Sequence, residues 1–462
     1  MDFERVALCS LRRSATHDLL LNMRTSLPSL LTCCLAFAAC SGGSSGAGGF
    51  TDSGGHTGSG GNTGSAGNTG SAGFAGGGGF ANAGGSTGRG GLTGGGGTTG
   101  AGGSSGSGGF TSMGGNTGGG GTTGDSVRFV YAAQDDGTIH VYDINSGHAP
   151  VRTFRFTSST KVDVRGAAAA ASTHRFYVMF NPVTGNGGHL VCLDLLTDKI
   201  LWDNTSYGPR VDRGDVTPDG SKVYLPSSEE EQLPYESVVN AVTGALIAKI
   251  TMPPMTHDTA CSVDGKRVFM ENKSTDDRIR TVDTATNAVI ATTDAFGGIV
   301  QPFSVTASGD LAVANVEGVY GFQYADLSTG KILGTALFTG TTLNGANWPH
   351  GIGMLPNETE VWAGDRGAGN HYVHVFDITS LPPTQTHVVT ISNDNPHWLT
   401  FSIDGRFCYV AGYKGLNNPT DVVDTTTYKR VATLGPSEDL LEVDISNGAV
   451  SAVGDQFGIG RK

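Results

Sequence analysis

A short phrase recurs along the C-terminal part of this chain, and it limits the fold more than any other feature. It reads as a run of strand-forming residues, an Asp, two further residues, a Thr or Ser, a turn and a second strand-forming run. The acidic position repeats at intervals of about 43 to 51 residues, the size of a repeat unit with four strands rather than of a helical repeat. The copies are IHVYDINSG, LVCLDLLTD, SVVNAVTGA, IRTVDTATN, FQYADLSTG, VHVFDITSL and DVVDTTTYK, with the acidic position at Asp143, Asp194, Asp283, Asp326, Asp377 and Asp424, and Asn240 in its place once.

Four strand-forming runs fit into each repeat. PHWLTFS, the turn at Asp404-Gly405 and RFCYVAGY show the pattern, and similar turns occur at Gly220, Gly265 and Gly309. Asp-Gly between such runs is a strong hairpin signal. An Asp at the end of a strand accepts N–H bonds from the turn, so the repeated acids have a structural role. The pattern predicts an all-β fold, a seven-bladed β-propeller of four-stranded antiparallel blades.

The two ends of the repeat region complement each other. The first unit, from Val127, lacks its first strand, and DLLEVDISNG near the C-terminus can supply it. A ring closed by strands from both termini leaves no exposed sheet edge between the chain ends. The run Ala167–Ala171 suits a helix by propensity, yet it falls in a first-strand slot and is interpreted as an inner strand. The C-terminal tail contains more strand-forming sequence than one slot needs, which indicates an additional strand.

Two of the repeats resemble a known family. RIRTVDTATNAVIATTDAFGG and DVVDTTTYKRVATLG are similar to the YVTN family of β-propeller repeats, whose consensus contains VIDTATNKVVATI. The resemblance covers Val127 to the C-terminus. It implies a seven-bladed propeller of the kind found in exported and surface-layer bacterial proteins. Related folds include amine-dehydrogenase subunits and lactonases, and a shared fold does not determine function.

The N-terminal 40 residues resemble a bacterial secretion signal. The apolar run from Leu27 to Ala39 is too short to span a bilayer. We predict that translation starts at Met23 and that the signal ends in a lipobox at Cys40, which would carry a lipid anchor. The alternative is ordinary cleavage after Ala38, since Ala36-Phe37-Ala38 fits an A-x-A site.

Residues 41–124 form a low-complexity segment in which about half of the residues are Gly. Such a segment cannot bury enough apolar surface to offset the entropy of ordering it, so a disordered linker is predicted. About 84 residues of flexible chain reach roughly 50 Å, which suits a spacer between a membrane and a domain. Residues 125–462 are the predicted propeller, and it is expected to be monomeric.

Charge and cysteines restrict the partners and the chemistry. The formal net charge of −13 makes nucleic acid an unfavourable partner. Cys192, Cys261 and Cys408 each lie within a strand-forming run without metal-binding spacing, so buried apolar packing is expected.

A candidate site follows from one equivalent position in each repeat. Counting back about eight residues from each hairpin turn reaches the start of the predicted inner strand, where strand ends surround the mouth of the central channel. We call these the mouth positions: Arg165, Asp212, His257, Gln301, His350, His397 and, less regularly, Asp439 or Leu440. Their neighbours Arg213, Asp258, Trp348 and Trp398 complete the ligand-binding candidates.

Several interpretations of these residues are open. His257, His350 and His397 could bind Zn or Cu if their rings converge, or His257 or His350 could act as a general base on an ester or lactone. The plainer interpretation is that such histidines bond neighbouring loops. Two further groups are given structural interpretations: a solvated acidic loop at Glu229–Glu231 with Glu236, and a rim ion pair at Asp365-Arg366.

The favoured function is a binding or interaction module, not an enzyme, tethered to the outer membrane or cell surface by its lipid. Its partner is an unidentified protein, glycan or small ligand. The alternatives are a lactonase-like hydrolase or a metal-dependent enzyme, and a periplasmic or secreted location.

Overall fold

The computed structural model describes residues 126–342, 348–366, 369, 371–393, 395–413 and 418–462. The predicted signal, the lipobox with Cys40 and the predicted linker lie outside these residues. Within them the chain forms 29 strands and one short 3-10 helix, Ala171–Thr173. No helix in this described part reaches the length and hydrophobicity of a transmembrane span.

The strands form seven antiparallel sheets arranged as the blades of a propeller ring, which confirms the predicted fold class. The strands of blade 1 are β1 (Val127–Gln134), β2 (Thr138–Asp143), β3 (Ala149–Arg155), β28 (Asp439–Ser446) and β29 (Ala449–Val453). Blade 2 consists of β4 (Val162–Ala170), β5 (Arg175–Pro182), β6 (His189–Asp194) and β7 (Lys199–Asn204). Blade 3 consists of β8 (Asp215–Val216), β9 (Lys222–Leu225), β10 (Tyr235–Asn240) and β11 (Leu246–Thr251).

The remaining four blades follow in chain order. Blade 4 consists of β12 (Thr256–Cys261), β13 (Arg267–Asn272), β14 (Arg280–Asp283) and β15 (Ala288–Thr292). Blade 5 consists of β16 (Val300–Val305), β17 (Leu311–Val316), β18 (Gly321–Asp326) and β19 (Lys331–Leu337). Blade 6 consists of β20 (Ile352–Met354), β21 (Glu360–Asp365), β22 (Tyr372–Asp377) and β23 (Thr384–Thr390). Blade 7 consists of β24 (Pro396–Phe401), β25 (Phe407–Gly412), β26 (Thr420–Asp424) and β27 (Lys429–Leu434).

The ring closes as the sequence predicts. Strand β28 pairs with β1, with Phe129 opposite Val443, so the C-terminal strand fills the first-strand slot of blade 1. The run of Ala residues lies in β4, the inner strand of blade 2, except for Ala171, which begins the 3-10 helix, and β29 is the additional strand expected in the tail. The first strands of neighbouring blades contact one another around the ring, which places them nearest the axis.

The repeated phrase forms the turn between the third and fourth strands of each blade. In blade 2, Asp194 Oδ1 accepts bonds from Leu196 N at 3.0 Å and from Thr197 N at 2.8 Å. Asn240 accepts the two equivalent bonds in blade 3, because its side-chain oxygen can replace a carboxylate oxygen there. The structural interpretation of the repeated acids is therefore confirmed.

Apolar side chains pack between neighbouring blades. One cluster joins blades 1 and 2 through Tyr131 and Phe176, and another joins blades 6 and 7 through Trp362 and Phe401. Each blade is thus stabilised mainly by its neighbours, as expected for a repeat architecture. Cys192, Cys261 and Cys408 are buried free thiols, as predicted.

The chain after β29 crosses the axis of the ring. Gln456 accepts a bond from Ala167 N of blade 2 at 2.7 Å, and the Gly458 carbonyl accepts one from Met354 N of blade 6 at 2.7 Å. Phe457 is 1% exposed and packs edge-on against Trp398 of blade 7, with ring centroids 5.8 Å apart. This tail therefore connects blades that are not adjacent, and it packs beside Trp398.

Candidate functional site

The mouth positions lie where the sequence analysis places them, at or just before the first strand of each blade. Arg165, His257, Gln301, His397 and Asp439 fall within the first strands of their blades. Asp212 lies three residues before β8, and His350 lies two residues before β20. A cavity of about 200 Å³ opens among them, and Arg165, Arg213, His257, His350, His397 and Asp439 line it. We call it the mouth cavity.

The other candidates are not among the described residues that line this cavity. Asp212 and Asp258 are fully buried behind Arg165 and His257. Gln301 is turned aside, because its amide donates to Glu317 at 2.8 Å. Trp348 is half-buried. Trp398 is buried and donates to the Gln456 carbonyl at 2.5 Å.

A carboxylate held by several cations occupies one wall of the mouth cavity. Glu229 lies 2.7 Å from an Arg165 nitrogen and 2.6 Å from Lys273 Nζ. Burial opposes its ionisation, yet Lys273, His257 and Arg165 hold the pKa of Glu229 well below its usual value. Arg165 also donates two bonds of 2.9 Å to Asp212, a bidentate pair that fixes the guanidinium.

The solvated-loop interpretation of the acidic run is therefore wrong for two of its residues. Glu229 is only 25% exposed in its side chain and is the centre of an ion-pair network. Glu236 is fully buried and accepts a bond of 2.6 Å from Thr259. The sequence could not show this, because a run of acids in a loop gives no sign of cations that come from other blades.

His257 is enclosed by carboxylates. Its Nδ1 lies 2.6 Å from Glu271 Oε1 and 3.2 Å from Asp258 Oδ2. Burial alone would lower its pKa, but Asp258, together with Asp212 and Glu271, raises the pKa of His257 to about 9. At neutral pH the ring is therefore an imidazolium, which cannot accept a proton as a general base.

His350 and His397 form a stacked pair. Their ring centroids are 3.8 Å apart and the rings are inclined by only 6°. His350 Nδ1 donates to the His397 carbonyl at 2.8 Å, which leaves Nε2 as the acceptor of a neutral ring. Burial and neighbouring cations hold the pKa of both histidines well below the usual range, so both are neutral at physiological pH.

The three histidines do not form the predicted Zn or Cu site. Nitrogen lone pairs lie in the ring plane, so the near-parallel rings of His350 and His397 cannot both point at one ion. Among the described residues, the groups with metal-compatible spacing are Asp212–Glu229–His257 and His257–Asp258–Glu271, and neither includes His350 or His397. In the first group, Arg165 and Lys273 already compensate the carboxylates.

Arg213 spans from blade 3 towards blades 1 and 7. Its guanidinium donates to Glu438 at 3.0 Å, and its Nε lies 3.4 Å from Asp439 Oδ1. The same guanidinium lies over the Trp398 ring, 4.3 Å from its centroid. Since Trp398 packs against Phe457, Arg213 and Trp398 lie between the mouth cavity and Phe457 of the C-terminal tail.

Sequence reasoning missed a second set of cavity residues. Asp135, Lys273, Arg366 and Tyr413 line the mouth cavity, and each is the residue directly after the second strand of its blade. In an antiparallel pair the end of the second strand lies beside the start of the first, as Asn272 does beside Thr256. The same counting that found the mouth positions could therefore have found these residues. Arg366, interpreted from sequence as part of a rim pair, is one of them, and its guanidinium carbon lies 4.5 Å from the centroid of the Tyr413 ring.

Comparisons with known proteins add little. No protein-family model matches this chain, and no curated protein does either, so the resemblance to YVTN repeats stays a prediction. Among solved structures, the chain is similar to hydrazine synthase of Kuenenia stuttgartiensis at a TM-score of 0.49 and 13% identity. That match covers 65% of this chain and 98% of the other. A likeness of this degree carries no information about activity.

Proposed function

We propose that this propeller is a binding module and that the mouth cavity holds a small polar ligand. The observation that carries the proposal is Asp439, which lines the cavity, is 1% exposed and has no hydrogen bond to either carboxylate oxygen among the described residues. Buried polar groups normally have partners, so a bound molecule would complete this one. A volume of about 200 Å³ is below the range of drug-sized pockets, which favours a small ligand over a segment of protein or glycan.

The proposal can be tested by a thermal-shift screen of the full chain against small sugars, amino acids, carboxylates and amines. A ligand that binds only the folded state raises Tm, and at 100 times its Kd it contributes about 2.7 kcal/mol. We expect hits that stabilise the natural chain and the variant Arg406→Gln. Arg406 is a suitable control because its side chain is 65% exposed and it does not line the mouth cavity. The same hits should fail to stabilise Arg366→Gln, whereas hits that stabilise both variants equally would place binding elsewhere.

The alternative of an exported hydrolase depends on His350, whose neutral ring keeps Nε2 as its acceptor. A base needs a nucleophile within hydrogen-bond reach, or a water between them. The hydroxyls lining the described part of the cavity are Tyr413 and Ser437, and Ser437 already donates to the Ala133 carbonyl at 2.8 Å. Turnover of an ester or lactone that disappears in His350→Gln would favour the enzyme. Stoichiometric Zn or Cu in the purified chain would favour the metal-dependent version.

A membrane tether is the second part of the proposal. The lipobox ending at Cys40 and the long Gly-rich segment after it are the sequence features that support it. In a Gram-negative host, Cys40→Ala should move the protein from the membrane fraction to the soluble fraction. An unchanged distribution would contradict lipidation and favour ordinary signal cleavage.

A further inference from the structure

The charges in the mouth cavity indicate the class of ligand. Resting on the proposed function, we propose that the ligand is a small zwitterion whose protonated amine is bound by Asp439 and whose carboxylate is bound by Arg366. These two residues belong to blades 1 and 6, on either side of blade 7, so the ligand would lie across the stacked rings of His350 and His397.

The amine end follows from the surroundings of Asp439. Its nearest cation is Arg213, whose Nε is 3.4 Å away and whose guanidinium already donates to Glu438. A buried carboxylate with no hydrogen bond is costly, and an ammonium group supplies a positive charge and three donors together. Burial, with Glu438 adding to it and Arg213 opposing it, raises the pKa of Asp439 to about 7, the behaviour of a carboxylate that lacks an adequate cation.

The carboxylate end follows from Arg366. Its guanidinium stacks on Tyr413, and its buried Nε has no hydrogen-bond partner among the described residues. This Nε can therefore donate to a carboxylate, the group that guanidinium groups bind in a bidentate manner. Arg366 and Lys273 are among the cations that act on His350 and His397. The carboxylate of Glu438, 3.2 Å from His397 Nδ1, already accepts a bond from Arg213, so this side of the cavity favours a negative group.

Other acidic groups at the cavity have cations of the protein as partners. Glu229 is shared by Arg165 and Lys273, and Asp212 has its own bidentate bonds from Arg165. A ligand with only a negative charge would leave Asp439 without a hydrogen-bond donor and would be repelled by its carboxylate. A ligand with only a positive charge would leave the Nε of Arg366 without an acceptor and would be repelled by its guanidinium. A molecule with both charges satisfies both groups.

Isothermal titration calorimetry of the full chain can test this with matched probes. The probes are glycine, 4-aminobutyrate and 6-aminohexanoate as zwitterions of increasing length, butylamine and butyrate as single charges, and glucose as a neutral polyol. We expect at least one zwitterion to bind about tenfold or more tightly than both single-charge probes, since each charge-assisted hydrogen bond contributes about that factor.

Variants separate the two ends. Asp439→Asn should weaken binding of the zwitterion about tenfold or more without weakening that of butyrate, and Arg366→Gln should do the same without weakening that of butylamine. Arg406→Gln is the control with unchanged binding. Because Asp439 is buried, the Tm of each variant is measured first to show that it folds. If Asp439→Asn does not fold, the loss of zwitterion binding in Arg366→Gln is the test.

The outcomes distinguish this inference from the proposed function. A single-charge probe that binds as tightly as every zwitterion overturns the inference, and so does zwitterion binding that survives both variants. Binding of glucose, or of another screening hit dependent on Arg366, without zwitterion binding overturns the inference but leaves the binding function intact. No Arg366-dependent binding by any small polar molecule overturns both.

Discussion

Two sets of equivalent positions in the repeats behave in opposite ways. The turn positions carry an acid in six blades and its amide in the seventh: Asp143, Asp194, Asn240, Asp283, Asp326, Asp377 and Asp424. The mouth positions are just as equivalent in the fold, yet they differ from blade to blade: Asp439, Arg165, Asp212, His257, Gln301, His350 and His397. One set is uniform and the other is diverse.

The difference teaches what constrains each position. A turn residue bonds within its own blade, as Asp424 does to Thr426 N and Thr427 N, so the same local geometry requires the same residue each time. Mouth residues such as Arg165 and His350 instead contact residues of the next blade, Asp212 and His397 respectively. The identities of such residues are therefore set by partners across the ring and, in our proposal, by a ligand. Substitutions at the two sets of positions should therefore differ in their effects.

The largest effect should come from Arg213→Met. Methionine keeps an apolar stem over Trp398 but removes the guanidinium, leaving Glu438 and Asp439 without it. Removing one partner of a buried ion pair costs about 3 to 5 kcal/mol in the free energy of unfolding. Chemical denaturation measures this, with Arg406→Met as an exposed control expected to change by less than about 0.5 kcal/mol. A cost below about 1 kcal/mol for Arg213→Met would show that the mouth network does not hold the blades together.

A smaller effect, visible only against pH, should distinguish Asp439→Asn from the natural chain. The pKa of Asp439 is raised from an ordinary 3.8 to about 7, so the folded state keeps a proton that the unfolded chain has already lost. The contribution of that proton to the free energy of unfolding is fully present below about pH 4 and is lost as the pH rises through 7. Between pH 5 and pH 8 the natural chain should therefore lose about 2 to 3 kcal/mol relative to the variant. Parallel stability curves for the two chains would contradict a carboxylate that is buried without a hydrogen bond.

The smallest effects are expected at the turns. Asp194→Ala and Asp424→Ala each remove an acceptor of two backbone bonds and one hydroxyl bond, and each should cost about 1 kcal/mol. The two costs should agree within about 0.5 kcal/mol, because the geometry is local and repeated. Asn240→Asp is the matched control and should change little. Clearly unequal costs in the two blades would mean that the turns also depend on their neighbours.

The fold could be predicted from the sequence because its signals are local and repeat. The phrase around Asp143 to Asp424, the Asp-Gly turns and the missing first strand at Val127 together specify blades, their order and the closure by β28. The course of the tail beyond β29 could not be predicted. Gln456 and Phe457 are held by side chains and backbone of several blades, and no local pattern records such contacts.

The candidate site could be predicted only in part. Strand periodicity places Arg165, His257 and Asp439 at one mouth, but it says nothing about which side chains then pair. The stacking of His350 on His397, which excludes the predicted metal site, depends on the relative rotation of two blades. Lys273 was missed although the register rule for antiparallel strands would have indicated it.

A crystal structure of the full chain with the tightest-binding zwitterion tests the central claim most directly. The account predicts density for one molecule in the mouth cavity, with its amine within hydrogen-bond distance of Asp439 and its carboxylate on Arg366, above the rings of His350 and His397. Density for the ligand at the turns or the outer strands, with the mouth cavity holding only water, would contradict it.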